Sequence, residues 1–289
     1  MKSQEKTAIL MAILAAALYA LNSPVSKLLL SHVPSAIMAA LLYLGAGVGL
    51  AFVRFIQKTM GIKNREAQLE KADLPYTIGM VALDIAAPIF LMIGLSKTSA
   101  ANAALLNNFE IVATSLIALL IFNEKISKRL WAAIGFVTLA SMILTFEDAS
   151  SFDFTFGSLF VLAACVCWGF ENNCTRSISK KDPLQIVVVK GFGSGLGSLM
   201  IAYTIGEKLP QFGYVLGAMA LGFVAYGLSI FFYIYAQRTL GAAKTSAYYA
   251  VAPFIGVGLS LIIFKELPSL SFMVALAIMI LGTYLASTD

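Results

Sequence analysis

Charge is scarce in this chain: 12% of its 289 residues are Asp, Glu, Lys or Arg, about half the share found in an ordinary soluble domain. With 60% hydrophobic residues and a mean hydropathy of +0.87, too little polar surface exists to clothe a water-soluble globule. Histidine occurs once and cysteine three times, and Cys165, Cys167 and Cys174 fall within one apolar segment. That spacing excludes a disulfide framework and a paired-cysteine zinc site, and neither a metal nor another cofactor is expected. No polar stretch is long enough for an extramembrane domain, which excludes an ATP-driven pump with its own nucleotide-binding domain and a channel with a ligand-binding head. The chain also lacks His-Glu-x-x-His and Gly-x-Ser-x-Gly, so a membrane-embedded lipid-modifying enzyme, the rival class, has no recognisable nucleophile or metal set. Short alternating segments are missing as well, which excludes a β-barrel.

What remains is a series of continuous apolar runs. About 20 apolar residues cross the ~30 Å of bilayer hydrocarbon as a helix. Ten such spans are predicted: 7–31, 35–56, 75–96, 99–122, 128–146, 156–179, 184–206, 212–236, 240–264 and 268–286. The first run is too long for the core of a cleavable leader and is read as the first span. The longest interruption, 57–74, carries Lys58, Lys63, Arg65, Glu66, Glu70, Lys71 and Asp73 and reads as a solvated loop. Fifteen Lys and Arg residues fall on the side of the N-terminus and of this loop, against Lys97, Lys208 and Lys265 on the other. The positive-inside rule then predicts a multi-pass protein of the plasma membrane with both termini cytoplasmic. The net charge of +5 therefore orients the chain, and no nucleic-acid partner is expected.

An internal repeat is the most informative feature. A shift of 149 residues lays Tyr19-Ala20-Leu21-Asn22-Ser23 on Trp168-Gly169-Phe170-Glu171-Asn172, Lys27 on Arg176 and Pro34 on Pro183. A shift of 142 lays Ile121-Phe122-Asn123-Glu124 on Ile263-Phe264-Lys265-Glu266, and Ser127 on Ser269. The expected fold is an all-α integral membrane bundle of ten transmembrane helices, built as two five-helix repeats, 1–147 and 148–289. Five is odd, so the second repeat enters the membrane from the opposite side, an inverted topology that suits alternating access around a midplane site.

The motifs resemble the drug/metabolite transporter superfamily, in its EamA branch. Each unit of that family has a small-residue stretch, a Glu-Pro-like kink, an apolar run and a Gly-Glu-like turn. Here the first unit reads Lys97 to Leu106, Phe109-Glu110-Ile111-Val112 and Ile121 to Ser127. The second reads Leu240 to Ala247, Val251-Ala252-Pro253-Phe254 and Phe264-Lys265-Glu266-Leu267. The Glu-Pro pair is split between the units, Glu110 in one and Pro253 in the other. The resemblance implies a secondary transporter of small organic metabolites, often an exporter of amino acids or related compounds.

Ionisable groups in hydrocarbon cost at least ~2.5–3.5 kcal/mol, so they face a cavity or a partner. Asp84, Glu110 and Glu171 lie at similar depth on three predicted spans and are the first candidates for proton coupling or for holding a substrate ammonium. Lys190 either reaches the interface or pairs with Glu171 or a substrate carboxylate, whereas Lys27 and Arg176 are expected to snorkel. Asn107, Glu110 and Thr114 follow an i, i+3, i+7 pattern and so share a helix face, with Asn108 beside them. Under the repeat, Tyr249 matches Asn107, Tyr226 matches Asp84, Glu171 matches Asn22 and Asn172 matches Ser23; Tyr248 adjoins Tyr249. Trp168 and Tyr19 are matched aromatics one turn from Glu171 and Asn22. The alternative for each of these residues is helix packing. The substrate site is thus expected among Asn22, Ser23, Asp84, Asn107, Asn108, Glu110, Trp168, Glu171, Asn172, Tyr226, Tyr248 and Tyr249.

The function expected from these readings is secondary transport of a small polar metabolite, foremost an amino acid, outward by alternating access. The second reading is a multidrug or organic-cation exporter. The partners expected are a small-molecule substrate and membrane lipid, with protons the first candidate for a coupling ion; one chain already holds both repeats and could work alone as a monomer, with the oligomeric state left open by the sequence.

Overall fold

The computed structural model describes residues 3–61, 66–122, 127–145, 156–265 and 267–287. Lys2, Lys63, Arg65, Lys125, the Asn123–Ile126 part of the first repeated motif, Glu266 of the second and the 147/148 boundary lie outside them. The described residues are helical, without strands: α1 Ser3–Ala20, α2 Asn22–Leu29, α3 Ser35–Thr59, α4 Leu74–Lys97, α5 Ala100–Leu106, α6 Phe109–Phe122, α7 Lys128–Thr145, α8 Phe156–Ile178, α9 Pro183–Thr204, α10 Phe212–Gly222, α11 Ser229–Tyr249, α12 Ala252–Phe264 and α13 Leu270–Ser287. A 3-10 turn, Lys71–Asp73, leads into α4, and a π-helical turn, Phe223–Leu228, joins α10 to α11.

Among the described residues six helical stretches are long and apolar enough to cross a membrane: Gln4–Leu29, Ser35–Thr59, Lys71–Lys97, Ala100–Ile121, Pro183–Thr204 and Phe212–Leu240. Ala252–Phe264 and Leu270–Leu285 are apolar but shorter. Large apolar side chains lie open on the outside, Leu120 76%, Ile262 74% and Met200 70% exposed. In water such a surface would aggregate; against lipid it costs nothing.

Three predicted spans are broken where windows of hydropathy see one run. The first parts at Leu21 between α1 and α2, and 99–122 parts at Asn107–Asn108 between α5 and α6. Near the other end of the chain, Ala250–Val251 separates α11 from α12, with Pro253 at the second position of α12. α11 also bends back on itself. A straight helix of its 21 residues would hold its ends ~30 Å apart, yet Ser229 Oγ lies 3.5 Å from the Tyr249 hydroxyl and the Tyr233 and Tyr249 rings are 4.9 Å apart. The chain therefore turns back between Ser229 and Tyr249, the stretch that contains the gap predicted between the spans 212–236 and 240–264.

Four long pairings organise the bundle: α3 with α9, α4 with α8, α1 with α11 and α7 with α13. Small residues permit them, since without a hydrophobic drive in lipid the helices associate by close approach. A Cβ added at Gly191 of α9 would lie 2.4 Å from the Gly47 Cα of α3, and one at Gly45 would lie 2.1 Å from the Met219 carbonyl oxygen of α10. Along α1 the buried positions Ala8, Ala12, Ala15 and Ala16 form one face. α7 and α13 begin alike: Ser127 Oγ accepts from Leu130 N at 3.0 Å, and Ser269 Oγ accepts from Phe272 N at 3.1 Å, each a serine N-cap.

At one end of the bundle, segment 66–73 is strapped to the turn between α8 and α9. Asp182 N donates to Ala67 O at 2.7 Å, and Leu69 N donates to Gln185 Oε1 at 2.8 Å. Around them Arg54 pairs with Asp182 at 2.9 Å, Lys181 with Glu70 at 2.9 Å and Arg238 with Glu66 at 2.8 Å. The Glu70 hydrogen bond raises the Lys181 ammonium above its ordinary pKa, so it stays charged. The loop read as merely solvated is, over 66–73, part of an ionic strap.

At the opposite end Lys27, half-buried, is held by backbone carbonyls. Its Nζ donates to Leu95 O at 2.6 Å and Thr98 O at 2.7 Å, closing the C-terminus of α4, where unsatisfied carbonyls and the helix dipole favour a cation. Glu207 answers it at the start of α3, accepting from Ala36 N at 3.3 Å and Ile37 N at 2.8 Å.

Candidate functional site

The charged residues that the sequence places in hydrocarbon meet in the interior. Lys190, on α9, lies 2.9 Å from Glu171 Oε1 of α8 and 3.1 Å from Asp84 Oδ2 of α4. All three side chains are buried, Asp84 completely and the other two at 3–4% exposure. Of the two positions open to Lys190, the structure takes the interior one, and it adds Asp84, whose approach depends on α4 packing beside both α8 and α9. The Thr175 hydroxyl, one turn on from Glu171, also donates to Glu171 Oε1. Desolvating an ion pair is expensive, and only several charges with good geometry repay it.

A cleft opens beside this triad. Its walls come from α1 (Tyr19), α3 (Tyr43), α6 (Glu110), α8 (Trp168, Glu171, Asn172, Thr175), α9 (Lys190), the π turn (Tyr226) and α11 (Ile230, Tyr233, Ile234, Tyr249). Glu110 accepts from Asn172 Nδ2 at 2.6 Å, and the same amide lies 3.4 Å from Thr114 Oγ1. No ion pair to Glu110 exists among the described residues. The rings form a continuous wall: Tyr19 lies 5.8 Å from Tyr249, 5.9 Å from Tyr226 and 6.5 Å from Trp168, and Tyr43 lies 5.0 Å from Tyr226.

Six of the twelve residues expected at the substrate site line the cleft: Glu110, Trp168, Glu171, Asn172, Tyr226 and Tyr249. Asp84 and Asn22 stand one layer behind. Asn22 Nδ2 donates to the Tyr226 hydroxyl at 3.2 Å and Asn22 Oδ1 accepts from Ser26 at 3.0 Å, so this relay fixes the ring. Ser23 is buried in α2 and Tyr248 is 37% exposed, and neither lines the cleft. Asn107 and Asn108 sit in the break before α6, so Asn107 does not share a helix with Glu110 and Thr114; Glu110 and Thr114 alone meet Asn172. The Asn107 and Asn108 side-chain oxygens are buried without a hydrogen-bond partner among the described residues, while the Cys165 thiol reaches the Leu106 carbonyl at the break, 3.6 Å away.

Tyr43, Thr175 and Tyr233 escaped the sequence reading. Thr175 carried a signal, lying four residues after Glu171 on the same face. So did Tyr233, which with Tyr226, Ile230 and Ile234 follows i, i+4, i+7, i+8. Tyr43, within a run of small and apolar residues, carried none. Among the described residues no group of three His, Cys, Asp or Glu is set to hold a metal.

A lipid-exposed helical bundle that hides charge and aromatic rings around an interior cleft has the build of a membrane transport protein. The EamA-like transporter family matches residues 6–146 and again residues 155–288. An uncharacterized transporter of Methanothermobacter thermautotrophicus is 24% identical over 290 residues, covering 92% of this chain and 82% of that protein. The uncharacterized transporter YyaM of Bacillus subtilis is 23% identical over 232 residues, 77% of this chain and 74% of its own. A solved crystal structure superposes over 98% of both chains with a TM-score of 0.70 at 16% identity, a likeness of fold alone. The chain belongs to the EamA-like transporter family, within the drug/metabolite transporter superfamily, and is a multi-pass membrane transporter rather than an enzyme.

Proposed function

We propose that the protein is a proton-coupled secondary transporter that exports a small polar metabolite, an amino acid or a related amine, across the plasma membrane by alternating access. The observation that carries this reading is the cleft itself: both halves of the chain line it, it holds Glu110 and Glu171, and it lies beside Lys190 and Asp84. Carboxylates in an apolar interior are groups that can take up and release a proton during a transport cycle.

Duplication within one chain, with units 1–147 and 148–289 threaded in opposite senses through ten spans, supplies the mechanics. Several features support it. The family matches twice, once in each half. Under the two shifts α3 falls on α9 and α7 on α13, and these are partners in the bundle; the α4–α8 and α1–α11 pairings exchange with each other. That is the pattern a twofold relation requires. The breaks at Asn107–Asn108 and Ala250–Val251 differ by the same 142-residue shift to within a residue. Discontinuous helices at midplane are the recurring site of transporters with inverted repeats. The basic excess on the side of the 66–73 segment supports a cytoplasmic location of both termini.

Reconstituted proteoliposomes loaded with a panel of amino acids and amines test the proposal under imposed pH gradients. Counterflow of at least one solute, accelerated by an opposing proton gradient and lost in Glu171→Gln, is expected. No counterflow for any solute would defeat the proposal, and flux indifferent to the gradient would remove the proton from it.

A further inference from the structure

Resting on that reading of the cleft, we infer that its substrate subsite is built for an ammonium group, with Glu110 as its counter-ion and Tyr19, Trp168, Tyr226 and Tyr249 as its walls. Within the class proposed above, the site therefore favours the amines and organic cations over the amino acids, since the one lysine lining the cleft is already paired.

The charge inventory leads to this. One lysine faces three carboxylates around the cleft, and Lys190 is already engaged by Asp84 and Glu171, at 3.1 and 2.9 Å. A substrate carboxylate would either crowd a third anion onto this one ammonium beside Asp84 and Glu171, or break one of those buried pairs and leave an unpaired anion in a low-dielectric interior, a large penalty. No other Lys or Arg is among the residues lining the cleft. Glu110 is in the reverse position. It lines the cleft, half-buried, with one oxygen held by Asn172 and no cation paired to it among the described residues. An arriving ammonium meets that carboxyl group without displacing an ion pair.

The rings add the second argument. Tyr19 is flanked by Trp168, Tyr226 and Tyr249 at centroid distances of 5.8–6.5 Å, so that several π systems border one space. Aromatic faces attract a desolvated cation within about 6 Å of the ring centroid, most strongly for tryptophan, and do nothing comparable for an anion. Asn172 bonds Glu110 while the Asn22–Ser26 pair fixes Tyr226, so charge and ring are both held before a ligand arrives. Such preorganisation lowers the entropic cost of binding.

Calorimetry on the purified full-length protein in detergent tests the subsite with matched probes: phenethylamine, cyclohexylamine and choline against 3-phenylpropionate and cyclohexanecarboxylate. At least one cation is expected to bind at least tenfold more tightly than either acid. Glu110→Gln, which keeps an acceptor for Asn172, should remove at least tenfold of that affinity without lowering the melting temperature. Should that variant fail to fold, Tyr249→Leu is expected to weaken the cations and not the acids. Acids binding as well as cations, no cation binding at all, or cation affinity unmoved in a folded Glu110→Gln or Tyr249→Leu protein would overturn the inference. Cation binding without flux in proteoliposomes would leave the subsite standing and defeat the transport cycle; gradient-driven flux of anions without cation binding would do the converse.

Discussion

Lys190 is the residue on which the interior charges depend. It compensates Asp84 and Glu171 together, from a helix different from either. Lys190→Met leaves two buried carboxylates facing each other, a change expected to cost about 3–5 kcal/mol. Asp84→Asn keeps the Lys190–Glu171 pair and should cost clearly less. Thermal unfolding of both variants in detergent checks this; equal melting temperatures for Lys190→Met and the unmodified protein would contradict it. At this scale the sequence is legible where chemistry clashes with surroundings. Asp84, Glu110 and Glu171 stand out because carboxylates are rare in apolar runs. Tyr43 does not, because tyrosine is at home in membrane helices as a packing or interfacial residue. That Asp84 joins Lys190 depends on which helices become neighbours, and no spacing along the chain encodes that.

Helices are the scale at which the sequence reads best and then stops. The span expected at 75–96 is α4, Leu74–Lys97, and the one expected at 184–206 is α9, Pro183–Thr204. Apolar length sets these limits, and it is a local property. The breaks are different. Pro253 marks the start of α12, yet Pro88 sits inside α4 without interrupting it, and the break at Asn107–Asn108 has no proline at all. Its freed carbonyls are met from α8, by Cys165. A continuous run of hydropathy cannot reveal a break whose support comes from another helix. Close approach, by contrast, rests on small residues at four-residue spacing on α9, Gly191 with Gly195 and Gly193 with Gly197, and it makes a sharp expectation. Gly191→Ala forces α3 and α9 apart and is expected to cost about 1–3 kcal/mol, whereas Gly135→Ala, with nothing within 4 Å, should be silent. Melting curves of the two variants, measured side by side, decide.

For the whole molecule, the cleft lies between the two ends that hold the halves together. At one end Arg54–Asp182, Lys181–Glu70 and Arg238–Glu66 each join a residue of the first half to one of the second. At the other, Glu207 caps α3 and His32 stacks on Tyr214 with ring centroids 4.3 Å apart. These are polar, individually modest contacts, of the kind that the proposed alternating access requires to release and re-form. The proposed repeat is read from two sequence shifts; the two end contacts are not legible there, since they join positions more than 100 residues apart. Accessibility of the cleft from both faces of the membrane is the most direct measurement of the account. Tyr233→Cys, in a background with Cys165, Cys167 and Cys174 replaced, is treated with an impermeant thiol reagent in right-side-out and inside-out vesicles. Labelling from both sides, with the balance shifted by an imposed pH gradient, is the predicted result; labelling from one side alone under every gradient would contradict it.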